Sequence, residues 1–191
     1  MSREKALELV QEKIKNENLV KHCLAVEACM RALARHFDKD PKSSDGASEE
    51  KWGLAGLLHD IDYEQTKDNP EKHSLVGAEM LEEMRLDKEI VEAVKSHNEM
   101  HGIAPETKMA KALFSVDPLT GLIVAATLVL PSKKIAELTI DNVLNRFKEK
   151  GFARGAHREI ISECSDIDLS LEKFVGICLK AMQGISEELG L

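Results

Sequence analysis

The stretch Ala55-Gly56-Leu57-Leu58-His59-Asp60-Ile61-Asp62 (residues 55–62) places a histidine and an aspartate side by side at the end of an apolar run. Neighbouring side chains on a helix point in different directions, so His59 and Asp60 do not pair with each other. A second aspartate, Asp62, follows two residues later. The rest of the sequence must explain why a buried helix end carries both groups.

The composition favours a folded protein of one domain, residues 1–191. Of its 191 residues, 43% are apolar, which argues against a disordered chain or a membrane protein. Aromatic residues make up 4% and the net charge is −8. We therefore expect neither a nucleic-acid polymer nor a membrane as partner. A local basic patch would still bind a small phosphorylated compound, and a homodimer is compatible with the sequence.

The cysteines and the N-terminus favour a cytoplasmic protein. No pair of cysteines has metal-binding CxxC spacing, and at least three lie on apolar helix faces, which indicates reduced core residues. The N-terminus lacks an apolar signal core, and the apolar run Leu119–Leu130 is too short to span a bilayer. The four cysteines are Cys23, Cys29, Cys164 and Cys178.

Helical periodicity dominates the first half of the chain. Ser2, Ser48 and Asp87 are capping residues at three helix starts, and Asn69-Pro70 is a fourth start signal. Gly53 and Gly56 would allow close helix contact. The apolar stripes contain Leu19, Cys23, Val26, Met30, Leu33 and Phe37, then Trp52, Ala55 and His59, then His73, Gly77, Met80 and Met84, then Ile90, Val94 and His97.

Further signals complete an all-α prediction. At Asp117-Pro118, either Asp117 caps a new helix or a long helix kinks, because proline disfavours helical geometry at the preceding residue. No alternation with the period of a strand is found. Loops are predicted at 38–47, where residues 43–46 could form a lid, and at 98–107, and helices around 141–150, 154–164 and 170–188.

Four histidines lie on or beside the core-facing stripes of successive helices. A single histidine on an apolar face is usually a core residue bonded to a carbonyl. Four together indicate coordination, because each buried imidazole must satisfy two ring nitrogens. Imidazoles with carboxylates suit Fe, Mn, Zn, Co or Ni better than Ca. The histidines are His22, His59, His73 and His97, and the accompanying carboxylates are Asp60 and Asp117.

These residues resemble the HD-domain metal-dependent phosphohydrolases. The family pattern is a histidine, a His-Asp pair and a distal aspartate on separate helices, as in His22, His59-Asp60 and Asp117. The stretch AGLLHDID is similar to the HDIG signature, with Asp62 in place of glycine. The resemblance covers about residues 17–130, and implies an HD-domain helical bundle with a C-terminal helical extension at about 131–191.

The resemblance also implies a metal centre and a mechanism. One metal would be bound by His22, His59, Asp60 and Asp117. A second would be bound by His73 and His97, with Asp60 bridging both. One or two divalent ions are expected, with Fe or Mn favoured and Zn, Co, Ni and Mg compatible. Metal-activated hydroxide would then cleave the phosphoester of a small compound such as a nucleotide.

Other candidate residues surround this set. Asp62 and Glu27 are candidates to orient imidazoles, and Asp62 and His101 join Asp60 as candidate catalytic groups. His97 and His101 form an H-x-x-x-H pair in which His97 is the favoured ligand, because Gly102 and Pro105 end the helix.

Candidate phosphate-binding residues lie in both halves of the sequence. Lys67 is the first base after the His-Asp pair. The basic segment 148–158 contains Arg154, His157 and Arg158 and is either a phosphate-binding arm or a solvated helix face.

Two other functions fit the same residues. A di-iron HD-domain oxygenase has an overlapping ligand set, and a signalling module could keep the metal for stability alone. Oxygen consumption separates the oxygenase from a hydrolase that releases phosphate anaerobically.

Overall fold

The computed structural model describes residues 1–38 and 48–191, and these residues form helices without a β-strand. The predicted all-α class is therefore confirmed, while most of the loop 38–47 and all of the candidate lid lie outside the described residues. The helices are α1 (Arg3–Lys13), α2 (Glu17–Asp38), α3 (Glu49–Leu58), α4 (Tyr63–Thr66), α5 (Leu75–Glu83), α6 (Lys88–Ser96), α7 (Lys108–Leu128), α8 (Ile140–Lys148), α9 (Arg158–Ser162), α10 (Leu171–Gln183) and α11 (Ser186–Leu189).

Three predicted helix starts are capped by the expected side chains. The oxygens of Ser2 and Ser48 accept hydrogen bonds from backbone N–H groups three residues on, and Asp87 accepts from Glu89. Each cap satisfies a donor that has no partner within its own helix. Local sequence thus fixes where α1, α3 and α6 begin.

The α2–α3 pair is the closest helix contact and depends on glycine. A Cβ on Gly56 would lie 2.9 Å from the Val26 carbonyl oxygen, and one on Gly53 would lie 2.6 Å from Nε of Arg31. The two backbones can approach this closely only because Gly56 lacks a side chain, while Gly53 leaves room for the Arg31 side chain. The predicted role of these glycines is confirmed, and the contact places the C-terminal end of α3 beside α2.

Helix α7 runs without interruption through Pro118. Of the two predicted alternatives, Asp117 therefore does not cap a new helix, and one long helix passes through Asp117-Pro118. It is long and apolar enough to cross a membrane by composition, but 67% of its apolar window is buried inside the protein. It packs against α2, α6 and α9. Packing as the central helix of the bundle accounts for its apolar character.

The structure corrects the helix predicted after Asn69-Pro70. Pro70–Lys72 form a single 3₁₀ turn, and α5 starts only at Leu75. His73 therefore lies in the connection and not on a helical stripe. Ser74 breaks the helix with a φ of 73°, and its hydroxyl donates to the Lys95 carbonyl oxygen at 3.1 Å.

The C-terminal helices α8 to α11 pack against α2 and α7. The predicted helix at 154–164 begins later, at Arg158, because residues 149–157 fold around the Arg158 side chain instead. All four cysteines are free and buried, as predicted.

Candidate metal centre

Helix α3 ends at Leu58, so the backbone turns at the His-Asp pair. The His59 ring is fully buried, and its Nδ1 donates to the Gly56 carbonyl oxygen at 2.8 Å. His59 Nε2 and Asp60 Oδ2 lie 3.4 Å apart. The helix end thus lets two neighbouring side chains face one point, which answers why both occur there.

A second group joins His59 from α2 and α7. Nε2 of His22 lies 3.1 Å from Nε2 of His59, 3.6 Å from Asp60 Oδ2 and 3.0 Å from Asp117 Oδ1. Asp117 Oδ1 is also 3.9 Å from His59 Nε2. Two imidazoles and two carboxylates therefore converge within the span of one coordination sphere.

The other Asp60 oxygen faces a separate pair of histidines. Asp60 Oδ1 lies 3.2 Å from Nε2 of His73 and 3.5 Å from Nε2 of His97. The Asp60 carboxylate thus stands between two pairs of imidazoles, with one oxygen directed at each. This arrangement can hold two cations with Asp60 as the bridge. We call His22, His59, Asp60, His73, His97 and Asp117 the histidine–aspartate cluster.

The outer nitrogens of two cluster histidines bind backbone carbonyls. Like that of His59, Nδ1 of His97 donates to a carbonyl three residues earlier, that of Val94, at 2.6 Å. Since a carbonyl oxygen can only accept, Nδ1 carries the proton, and Nε2 is free to offer its lone pair to a metal in the neutral ring.

Side chains orient the other two histidines. Asp62 Oδ1 accepts from Nδ1 of His73 at 2.9 Å. The Thr120 hydroxyl donates to the Asp117 carbonyl oxygen at 2.9 Å, so it accepts from Nδ1 of His22 at 3.1 Å. All four cluster histidines therefore present Nε2 inward with Nδ1 occupied, which is the orientation that a metal requires.

Buried carboxylates make the centre strongly negative. Burial would lower the pKa of His59, but Asp60 and then Asp117 outweigh it and hold that pKa at about 9. Burial would likewise lower the pKa of His73, but Asp60 and Asp62 outweigh it and raise that pKa to about 10. The imidazoles in turn keep the Asp60 pKa well below its ordinary value in spite of burial. Without a metal, the centre therefore attracts protons in place of a cation.

A cavity of about 480 Å³ opens beside the cluster. His22, His73, His97 and Asp117 form one side of it. Residues 153–157 and Ile160 also line it, so the C-terminal extension contributes to its wall. The predicted contacts of Arg154 and His157 with the site agree with this placement.

Asp62 and His101 position other groups instead of facing the cavity. Asp62 is fully buried, and its second oxygen accepts from the Gly77 N–H at 2.8 Å. Nε2 of His101 donates to the His73 carbonyl oxygen at 2.7 Å. Both residues thus contact His73 and neither lines the cavity, so the structure places them beside the cluster, and their catalytic role stays a prediction.

Two further predicted contacts are also corrected. The Glu27 carboxylate binds Arg3 and Arg31, at 2.7 and 2.8 Å, so it orients no imidazole. The Arg158 guanidinium is directed at backbone carbonyls of its own segment, including Ala153 and Ala156 at 2.6 Å each, and so does not face a phosphate. Lys67 is exposed after α4 and is not among the residues that line the cavity.

Asn98 is a site residue that the sequence interpretation missed. Its Nδ2 donates to the His73 carbonyl oxygen at 3.3 Å, next to the bond from His101. Its Oδ1 accepts from the Met100 N–H at 3.1 Å, as a capping residue does. An asparagine directly after His97, before a short turn, was the available signal.

Comparison with known proteins agrees with this geometry. The HD domain family matches residues 19–138. Ribonuclease Y of Lawsonia intracellularis is 29% identical over 147 residues, covering 75% of this chain and 26% of the relative. Ribonuclease Y of Nitratidesulfovibrio vulgaris (strain DP4) is 28% identical over 148 residues, covering 76% of this chain and 27% of the relative.

An uncharacterised protein of Methanocaldococcus jannaschii is 32% identical over 156 residues, covering 78% of this chain and 86% of the relative. The chain spans about a quarter of the length of the two ribonuclease Y proteins. No solved structure matches this chain significantly. With its all-α fold, its histidine–aspartate cluster and a match over more than half of its length, the chain belongs to the HD-domain family of metal-dependent phosphohydrolases.

Proposed function

We propose that this protein hydrolyses a phosphoester of a small phosphorylated compound, for example a nucleotide, with a metal ion bound in the histidine–aspartate cluster. The observation that carries the proposal is the Asp60 carboxylate, which directs one oxygen at His22 and His59 and the other at His73 and His97. A buried carboxylate with four inward-facing imidazoles has no simple role in packing.

The donor set suits divalent transition metals. His22, His59 and Asp117 would hold one ion, His73 and His97 a second, and Asp60 would bridge them. Nitrogen and carboxylate donors without a thiolate favour Fe or Mn and are compatible with Zn, Co or Ni. When bound, such an ion polarises a phosphate oxygen and lowers the pKa of a water molecule.

The remaining residues of the site bind and shield the phosphate. Arg154 and His157 line the same cavity as the cluster, where a cation would bind phosphate oxygens. Phe114, Pro118 and Ile160 give the same cavity an apolar side. We expect this side to contact the leaving group and to limit access of bulk water.

A small substrate is favoured over RNA. The chain has a net charge of −8, which opposes approach of a polyanion. The C-terminal residues 153–157 also line the cavity of about 480 Å³ beside the cluster, a volume that suits a small ligand.

RNA is the second candidate substrate because two relatives are named ribonuclease Y. A short oligonucleotide therefore belongs in any activity screen.

The buried thiols indicate the redox state of the compartment in which the protein is found. Its four cysteines are free and buried, which supports the proposal of a reducing compartment such as the cytoplasm.

The proposal is tested with protein purified without chelator. Metal content is measured by mass spectrometry, and phosphate release is measured anaerobically with nucleotides, sugar phosphates and the oligonucleotide. Asp60→Ala should lose metal and activity, whereas the exposed Asp68→Ala should retain both. Full metal content and full activity in Asp60→Ala would refute the assignment, and turnover that requires O₂ would identify an oxygenase.

A further inference from the structure

Part of the cavity wall comes from outside the region that defines the family. The family match ends at residue 138, whereas residues 153–157 line the same cavity as the cluster. This segment has no regular secondary structure of its own. Its shape is fixed by side-chain contacts together with turn hydrogen bonds, such as the one from the Ala156 N–H to the Ala153 carbonyl oxygen at 2.9 Å.

Arg158 fixes the segment through its guanidinium. Nη1 donates to the carbonyl oxygens of Ala153 and Ala156 at 2.6 Å each, and Nη2 donates to that of Phe152 at 2.5 Å. Nε donates to Phe147 O at 3.3 Å, and Nη2 reaches Arg146 O at 3.3 Å and Glu149 O at 3.5 Å. These bonds engage all five N–H groups of the side chain.

The bonds hold a strained backbone. Ala153 has a φ of 43°, in the left-handed region that a residue with a Cβ rarely adopts. Such a conformation persists only where surrounding contacts enforce it. The bond from Arg158 to the Ala153 carbonyl is one of those contacts.

Two residues next to Ala153 and Arg158 connect this segment to the cavity and to the rest of the protein. Arg154 is exposed and faces the cavity, and within residues 1–38 and 48–191 it has no hydrogen-bond or ion-pair partner. His157 pairs with Glu99 at 2.5 Å, which fastens the far end of the segment to the turn after α6. An unpaired guanidinium is thus presented to the cavity by a segment anchored on both sides.

We propose that Arg158 is a positioning residue that holds Arg154 at the cavity so that Arg154 binds an anionic oxygen of the substrate. The inference rests on the proposed phosphate-binding function of the cavity. Lysine cannot replace Arg158, because one ammonium group cannot reach carbonyls spread over residues 146–156.

The test uses the full, metal-loaded chain with Arg158→Lys, Arg154→Ala and both changes together, and Arg35→Lys as a surface control. Calorimetry measures the Kd for inorganic phosphate, and hydrogen exchange measures the amides of residues 151–157. We expect each single variant to weaken phosphate binding about five- to tenfold, and the double variant to be no weaker than either. Exchange in the segment should accelerate at least about tenfold in Arg158→Lys and in the double variant, but not in Arg154→Ala.

Independent effects, in which the two losses multiply, would overturn the proposal, as would unchanged exchange in Arg158→Lys. If Arg158→Lys fails to fold, adding Ala153→Gly relieves the strained φ, and the same comparison is made in that background. Neither measurement needs turnover. A protein that hydrolyses no phosphoester but shows the coupled loss would refute the proposed function and leave the role of Arg158 standing.

Discussion

At the scale of single residues, the candidate centre depends on groups that never face the cavity. Asp62 is fully buried and accepts from the His73 ring and from the Gly77 N–H. Asn98 and His101 both donate to the His73 carbonyl oxygen. His73 lies outside any helix, and these three residues replace the helix in fixing its position.

Asp62→Asn should loosen His73. An amide can accept with only one of its two ends, so its NH₂ would oppose either the ring N–H or the Gly77 N–H. We expect metal affinity to fall about 10- to 100-fold, as measured by titration of the metal-free protein. The exposed Asp68→Asn is the control, and equal affinities in the two variants would contradict the role of Asp62.

Substitution of the two histidines of the H-x-x-x-H pair, His97 and His101, should have different effects on metal binding. His97 directs Nε2 at Asp60, whereas His101 binds a backbone carbonyl. His97→Ala should therefore reduce the bound metal, and His101→Ala should retain the metal at a weaker affinity. Metal analysis of both purified variants decides the point, and an equal loss of ions would show that His101 is also a ligand.

At the scale of helices, the centre is assembled by close contact between α2 and α3. This contact sets His22 against His59, with their Nε2 atoms 3.1 Å apart. It depends on Gly56, whose missing side chain leaves room for the backbone of α2.

Gly56→Ala should push the two helices apart. The added methyl group would meet backbone atoms, which cannot rotate away, so we expect a loss of about 1–3 kcal/mol in the free energy of unfolding. Gly121→Ala is the matched control, because nothing lies within 4 Å of its Cβ position and alanine favours a helix by about 0.5–1 kcal/mol. Urea unfolding measures both, and a neutral Gly56→Ala would show that α2 and α3 can separate freely.

At the scale of the whole molecule, the centre links folding to protons and to metal. The cluster draws its members from α2, α7 and the segments after α3, α4 and α6, so a bound cation would tie these parts together. In the metal-free protein, protonated imidazoles have the same effect.

The metal-free protein should lose stability in mild alkali. The pKa values of His59 and His73, about 9 and about 10, lie above the value of about 6.5 in an unfolded chain. Their stabilisation is complete below the unfolded pKa and is lost as the pH rises through the folded values. We expect the Tm to fall from about pH 6.5 to about pH 10, and a flat profile would contradict these pKa shifts. Metal binding should strengthen from pH 6 to pH 8, because it must displace the same protons.

Removal of metal should lower the Tm. A ligand at about 1,000 times its Kd stabilises the folded state by about 4 kcal/mol, and for a chain of this size each kcal/mol shifts the Tm by about 2–4 °C. Calorimetry before and after chelation should show a fall of roughly 8–16 °C. Manganese or iron(II) should then restore the Tm. An unchanged Tm after complete removal would show that the cluster does not contribute to folding.

Much of this protein follows from its sequence alone. Caps at Ser2, Ser48 and Asp87 are local hydrogen bonds, and the apolar period sets which face of each helix is buried, so helix positions and the cluster members could be predicted. Their separation into two pairs around Asp60 was implied by the resemblance to the HD-domain family and not by the apolar period. The break at Ser74 and the use of Arg158 within its own segment could not be predicted from either. Only the packed chain decides that the Ser74 hydroxyl donates to the Lys95 carbonyl oxygen and that the Arg158 guanidinium donates to carbonyls of residues 146–156.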